Sequence, residues 1–370
     1  MRVLIGMPDS ESLGGPAACE PPFAEALRGL GVEVEEETYV YGESLSGTTL
    51  AQRVRRVVST AARLRRRLGA GGFDLVHLNT SFDTKALLRD AATVRLVGRT
   101  RAKIFLKFHG SDADLLQTKN PLLQICSRTL LGRADGLGVL SSEEKENFVA
   151  AGADARKVFV VKNVVAREFP KPDAGFNARR GLEAGAPVLL FIARFIPAKG
   201  LLDVIRACAL LRDRGVRFAL LCVGDGPARP EAEAEAARLG LQRLVRFTGY
   251  VPEEQTADFY ANAAALVFPT YHYEGFPMVV FYAAAAGLPL VTTRIRAAAD
   301  YLREPDNCLW VEPRNPASLA EKIEGLLSHA ETRAAMRENN LKLARQFSAD
   351  AVAREYLDAY HRLVAGVAAR

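Results

Sequence analysis

Residues 268–290 read FPTYHYEGFPMVVFYAAAAGLPL. The apolar residues just before and into this stretch, Ala264 to Phe268, read as a strand that ends at Pro269. A polar, aromatic turn follows and closes on Glu274-Gly275-Phe276-Pro277. A run of small residues then reads as a helix stopped by Gly287 and Pro289, and Leu290 to Thr292 reads as the next strand. Proline at a helix start and glycine just past its end are ordinary helix punctuation. The order puts Glu274 just before a helix amino end and beyond the carboxyl end of a strand, where open α/β sheets bind ligands. One carboxylate and several backbone N–H groups are expected to face one small cleft.

Outward from this stretch, short β runs alternate with longer amphipathic segments. Strands are predicted at 3–7, 32–36, 75–78, 104–108, 137–140 and 158–161, with helices at 22–29, 50–68 and 121–131 among the segments between. Alternation of this kind implies βαβ units and a parallel sheet. The stretch AREFPKPDAGFN, residues 166–177, is rich in proline and charge and reads as a linker. A second series follows, with strands at 188–193, 218–223, 245–248, 264–268, 290–292 and 308–311, and a helical tail broken near Phe347-Ser348. The expected fold class is α/β: two doubly wound halves, a helical tail, and a cleft between two lobes.

At 370 residues the chain is too long for one ordinary core. A net charge of +6 and a pI of about 9.1 favour anionic partners without choosing among them. The five cysteines, Cys19, Cys126, Cys208, Cys222 and Cys308, have no paired spacing and read as reduced core thiols, not as a disulfide framework or a zinc site. The start, MRVLIGMPDS, reads as a first strand and is too short in its apolar run for a signal peptide. No stretch approaches eighteen unbroken apolar residues, so any membrane contact is expected to be peripheral. The expected location is cytoplasmic, either free or at the inner face of the membrane.

Four further places carry chemistry. Arg194 follows the strand at 188–193, and Lys199-Gly200 opens the helix after it. Two cations at a helix amino end oppose the helix dipole, so an anion is expected to offset them. A diphosphate fits, with arginine gripping oxygens as a fork and lysine as a point charge; two solvated surface cations are the plain alternative. Gly224-Asp225-Gly226-Pro227 lacks the third glycine of a dinucleotide fingerprint and marks either a tight turn against a ligand or a plain turn. His109-Gly110 ends a strand, where a histidine donates to a substrate, serves as acid or base, or is structural. Asp112-Ala113-Asp114 looks like a metal motif but reads better as a helix cap, so no metal or other cofactor is expected.

The helix at 50–68 carries Arg53, Arg55, Arg56, Arg63, Arg65, Arg66 and Arg67 beside an apolar stripe of Val54, Val57, Val58, Ala61, Leu64 and Leu68. It reads either as a sheet-covering helix with a solvated cationic face or as a segment lying on an anionic bilayer. Without interleaved aromatics it does not read as a nucleic-acid surface.

With these residues the chain resembles the retaining glycosyltransferases of family 4, group 1, which have the GT-B fold. The carriers are Ala193-Arg194 with Lys199-Gly200, Gly224-Asp225-Gly226-Pro227, Gly249-Tyr250-Val251, and Glu274-Gly275-Phe276-Pro277 with Ala286-Gly287-Leu288-Pro289. Their order fits across nearly all of the second half. In the first half the match rests on the Gly14-Gly15 loop, His109-Gly110 and Asn163. The resemblance implies an acceptor-binding domain at 1–165, a linker at 166–178, a nucleotide-sugar domain at 179–346, and a helix at 347–370 packing back on the first domain. It implies that Arg194 and Lys199 bind the donor diphosphate and that Glu274 holds sugar hydroxyls. The amides near Gly275, Phe276 and Met278 would face phosphate and sugar, and Tyr250-Val251 the base. His109 would contact the transferred sugar, Gly15 would lie beside the phosphate, and Gly224 and Gly226 would line the donor site.

Position 282 departs from the pattern. The family carries a second glutamate there, on the ribose hydroxyls, and this chain has Tyr282. A phenol offers one O–H and weaker acceptance than a carboxylate. Either Tyr282 makes one bond, or another group takes over, or donor use is altered; a glutamate restored at 282 is expected to preserve or improve nucleotide binding. Asn163 is followed by Val164 where glycine is common, which stiffens that hinge. The implied reaction moves a sugar from a UDP- or GDP-linked donor to a glycan, lipid-linked or small-molecule hydroxyl, in envelope glycan, glycolipid or polysaccharide synthesis. A nucleotide-sugar epimerase and a non-catalytic nucleotide-sugar binder are the alternatives, and the incomplete fingerprint argues against an NAD enzyme.

Overall fold

The computed structural model describes residues 1–9, 15–39 and 49–366; Gly14 lies outside them. The first six strands are β1 (Arg2–Met7), β2 (Glu33–Thr38), β3 (Leu75–Phe82), β4 (Lys103–Ser111), β5 (Gly136–Val139) and β6 (Val158–Val160). The second six are β7 (Val188–Ile192), β8 (Ala219–Val223), β9 (Val245–Gly249), β10 (Ala265–Phe268), β11 (Leu290–Thr292) and β12 (Cys308–Trp310). They form two parallel sheets, ordered β2-β1-β3-β4-β5-β6 and β12-β11-β10-β7-β8-β9. Strands such as β7, β8 and β10 are buried along their whole length, as sheets covered on both faces require.

In each sheet the chain leaves a central strand in one direction and later returns to its other side. That reversal falls between β1 and β3 in the first sheet and between β7 and β10 in the second. In the second sheet it sets the loop after β7, with Arg194 and Lys199, beside the loop after β10, which begins at Pro269. Such a reversal opens a crevice at the strands' carboxyl ends.

The chain divides into two compact units. The first holds Met1–Ala166, Tyr273–Phe276 and Gln346–Arg370, and the second holds Arg167–His272 and Pro277–Arg345. In the first unit the helix Ala349–Val364 packs on the helix Gly15–Gly29, with Tyr356 and Tyr360 fully buried. No helix among the described residues is long and apolar enough to cross a membrane.

Three local features differ from the sequence reading. The helix expected from Pro22 begins at Gly15 and runs through Pro21 and Pro22. Interior proline costs a helix about 3 kcal/mol, yet Cys19, Glu20, Phe23 and Leu27 anchor this helix in the interior. Strands β3 and β4 run on past their apolar segments to Phe82 and Ser111, because Asn79, Thr80 and Lys107 are buried with the apolar residues and Phe82 packs on Phe108. The apolar stripe of the helix Leu50–Gly69 is split: Ala61 and Leu64 are buried, whereas Leu50, Val54 and Val58 are more than half exposed. Arg63 and Arg67 pair with Glu37 on the edge strand β2, which fixes which side of the helix turns inward.

Candidate active site

In the second unit the loop after β7 makes a single 3-10 turn, Pro197–Lys199, and enters the helix Leu201–Asp213. The loop after β10 is clamped onto it. The Tyr271 N–H donates to the Ala198 carbonyl at 2.8 Å and the Tyr271 hydroxyl to the Pro197 carbonyl at 2.9 Å. Arg194 is exposed and Lys199 is partly buried, its ammonium 5.7 Å from the centroid of the Phe268 ring. Burial and the neighbouring Arg194 charge push the Lys199 pKa down to about 8. Partial burial and the charges of Lys199, Arg296 and Arg194 also hold the His272 imidazole below its ordinary value. Like charges gathered this closely fit a polyanionic ligand.

Arg296 was not read from the sequence as part of this cluster. It is buried, starts the helix Arg296–Tyr301 after β11, and has φ 39°, a strained conformation for a side-chain-bearing residue. Its only local signal is a basic residue soon after a strand, which is too common to single out.

Gly224 and Gly226 solve a packing problem within this unit. A Cβ on Gly224 would lie 1.9 Å from the Ala193 carbonyl oxygen, and one on Gly226 would lie 2.5 Å from that of Phe195. The turn after β8 is thereby pressed against the loop that carries Arg194, and the Phe195 N–H donates to the Asp225 carbonyl at 2.8 Å. The Gly224 N–H donates to the Gly249 carbonyl at 2.9 Å, which sets Tyr250, 58% exposed, and the partly exposed Val251 next to this turn.

Pro277 is the residue before the helix Met278–Ala285, one position earlier than expected, and its carbonyl accepts from the Val280 N–H at 2.9 Å. Met278 is partly exposed and Tyr282, one turn on, is buried. The Tyr282 hydroxyl donates to Glu253 Oε1 at 2.7 Å. Glu253 opens the 3-10 turn Glu253–Gln255, after β9, and the sequence reading did not include it.

The remaining residues lie in the first unit. The His109 side chain is only 3% exposed and points into a polar network inside the sheet. Its Nε2 lies 2.8 Å from Asn79 Oδ1 and 3.5 Å from Glu20 Oε1. Asn79 Nδ2 donates to Glu20 Oε2 and to the Gly6 carbonyl, each at 3.0 Å, and the Lys107 ammonium donates to Glu20 Oε1 at 2.5 Å. Burial, the largest single influence on Glu20, opposes its ionisation, but the Lys107 charge and hydrogen bond together with His109 and His77 outweigh it and hold the carboxyl at about 2. Burial, reinforced by Lys107, lowers His109 to about 3 against the pull of Glu20, so the imidazole is neutral. Glu20 and Lys107 were not singled out in the sequence, where nothing marks them as partners 87 residues apart.

The His109 backbone, by contrast, meets the Glu274 loop. A Cβ on Gly275 would fall 3.0 Å from the His109 carbonyl oxygen and 3.1 Å from Gly110 Cα, so any side chain there would press on that backbone and glycine keeps the approach close. Glu274 is partly buried, and Phe276 packs edge-on against Phe347, 5.6 Å between ring centroids. Gly15 starts its helix, and Asn163 is buried. Asp112 accepts from the Asp114 and Leu115 N–H groups and caps the helix Ala113–Leu116. Among the described residues, Cys19, Glu20 and His109 hold ligand atoms within 4.8 Å of one another, at metal-binding reach. The Lys107 ammonium already supplies a cation to that carboxylate.

A model of the glycosyl transferases of group 1 matches residues 176–343, and one of the glycosyl transferase 4-like domain matches residues 12–164. The D-inositol 3-phosphate glycosyltransferase of Corynebacterium efficiens is 29% identical over 80% of this chain and 72% of its own length. The 2-deoxystreptamine glucosyltransferase of Streptomyces kanamyceticus is 29% identical over 83% of this chain and 81% of its own. Among solved structures, HepE of Anabaena in complex with UDP and glucose superposes with a TM-score of 0.73 at 19% identity, covering 97% of this chain and 99% of that one.

Proposed function

The chain belongs to the glycosyl transferases of group 1 and has the GT-B fold, and from that premise we propose that it is a retaining, metal-independent glycosyltransferase using a nucleotide-sugar donor. The supporting observation is the Arg194–Lys199 pair at the reversal between β7 and β10, two mutually repelling cations that a diphosphate would relieve. UDP with glucose, and UDP-glucose, bound to HepE support a uridine donor. The second unit is the donor domain and the first the acceptor domain. Arg194 and Lys199 hold the diphosphate, the helix amino end at Met278 lends N–H groups, and Gly224, Gly226, Tyr250 and Val251 flank the nucleoside. Glu274 grips sugar hydroxyls. His109, its neutral imidazole tied to Asn79, meets the sugar through its backbone beside Gly275 and not as a proton carrier.

In the proposed step the bond from the anomeric carbon to the diphosphate oxygen breaks as the acceptor oxygen bonds to the same face. The acceptor proton passes to the departing diphosphate. Positioning and charge stabilisation supply the rate, and Arg194 and Lys199 take the place of a metal. The acceptor is a hydroxyl of a glycan, a lipid-linked intermediate or a small molecule. The names of the two relatives support small polyhydroxylated acceptors. The exposed stripe of Leu50, Val54 and Val58 beside arginines supports work in the cytoplasm at the inner face of the membrane.

The test is donor turnover by the Arg194→Ala/Lys199→Ala variant, with and without EDTA. Loss of transfer by at least about 100-fold in the variant is expected from two charge-assisted contacts, with no loss in the native protein on chelation. Near-native turnover in the variant would refute the diphosphate role, and a strict Mn²⁺ requirement would refute metal independence. Epimerised donor in the absence of acceptor would assign the protein to a different reaction.

A further inference from the structure

Position 282 lacks a carboxylate in the sequence, but the fold brings one to it. Tyr282 is the fifth residue of the helix Met278–Ala285, and its hydroxyl donates to Glu253 Oε1 at 2.7 Å. Glu253 is fixed from several sides. Its carbonyl accepts from the Arg167 guanidinium, from the Thr256 N–H at 3.0 Å and from the Thr256 hydroxyl at 2.8 Å. The same Arg167 guanidinium stacks over the Tyr282 ring, 5.0 Å from its centroid. Glu253 is partly exposed, and its second oxygen, Oε2, has no hydrogen-bond partner among the described residues.

The placement fits a nucleoside. Tyr282 lies four residues beyond Met278, about 6 Å along the helix axis, and the amino end at Met278 is where the diphosphate is proposed to sit. A ribose joined to that diphosphate falls within reach of a group one helical turn away. Its two hydroxyls are donors, and a carboxylate accepts both, whereas the single phenol proton of Tyr282 is already committed to Glu253.

We propose that Glu253, oriented by Tyr282 and Arg167, is the acceptor of the donor's ribose hydroxyls. This rests on the donor-site reading of the second unit. Glu253 is the binding residue and Tyr282 a positioning residue: its hydroxyl turns Oε1 inward and presents Oε2.

The experiment is calorimetric titration of UDP, GDP and ADP into the native full-length protein, and of the best of them with its 2′-deoxy and 3′-deoxy analogues into Glu253→Gln and Tyr282→Phe. The native protein is expected to bind the ribonucleotide about 10- to 100-fold more tightly than the deoxy forms, the range of one or two charge-assisted bonds. Glu253→Gln is expected to shrink that ratio to within about threefold while binding the deoxy forms as the native protein does, and Tyr282→Phe to shrink it partly. The ratio is internal to each variant, so partial misfolding does not mimic the effect. An unchanged ratio in Glu253→Gln overturns the assignment and leaves the glycosyltransferase reading standing. Failure of the native protein to bind any of the three nucleotides overturns the donor-site reading and this inference with it.

Discussion

The imidazole of His109 donates from Nε2 to the side-chain oxygen of Asn79 across 2.8 Å. Asn79 is oriented by its amide, which donates to Glu20 and to Gly6. The histidine is therefore the Nε2–H tautomer, buried and uncharged, within a network whose only fixed charges are Glu20 and Lys107 among the described residues.

Acid destabilises this network. His109 and His77 have ordinary values of 6.5, lowered in the fold to about 3 and about 4 by burial. The unfolded chain takes up those protons first, so stability falls as pH drops below 6.5. Glu20, lowered from 4.5 to about 2, adds a loss in the same direction below 4.5. Each proton is worth roughly 1.4 kcal/mol per pH unit inside its window. The urea midpoint is expected to decline from pH 6.5 to 4, with a shallower slope in His109→Gln. A kcat limb near pH 6.5 that His109→Gln abolishes would contradict a neutral His109.

Lys199 titrates in the opposite range. Its pKa is lowered from 10.5 to about 8, so the unfolded chain binds the extra proton between those values and the lysine's cost to stability is relieved as pH rises through them. A bound diphosphate restores the charge, so nucleotide binding is expected to take up a proton above pH 8. Affinity then falls by up to about tenfold per pH unit. Calorimetry at pH 9 in two buffers of different ionisation heat reads the uptake directly. Lys199→Arg, which stays charged, is expected to remove it.

Glutamate at 282 has a different expected effect once Glu253 is in view. Two carboxylates would face each other where a phenol now donates at 2.7 Å, and like charges at that distance cannot both ionise without cost. Tyr282→Glu alone is expected to weaken nucleotide binding by about tenfold, and Tyr282→Glu/Glu253→Gln to recover it. Tighter binding in the single variant would return the ribose to position 282.

The helix Leu50–Gly69 presents Leu50, Val54 and Val58 to solvent at 78, 55 and 51% exposure. Burying each in a bilayer surface is worth about 1–2 kcal/mol. Replacing all three with serine is expected to reduce sedimentation with phosphatidylglycerol vesicles by at least about tenfold, and high salt to weaken the native interaction further. Equal binding by native and variant protein would leave the helix as cover for the sheet.

All twelve strands among the described residues lie close to where alternation placed them, because a buried parallel strand announces itself by a run of apolar residues with turn signals at each end. The loop cations Arg194 and Lys199 were legible for a similar reason: two positive charges at a helix start are a local anomaly. The network around His109 was not, since Glu20 and Lys107 look unremarkable until strand order brings them together.

The sequence by itself determined the two doubly wound halves and the punctuation around Glu274, because hydrophobic period and turn chemistry act over a few residues. Only tertiary structure decided that Gly224 and Gly226 answer to the Ala193 and Phe195 carbonyls and that Tyr282 meets a carboxylate from 29 residues away. It also decided which face of the arginine helix turns inward, through the glutamates of β2. Partners of this kind are set by strand order and helix rotation, and a one-dimensional pattern carries neither.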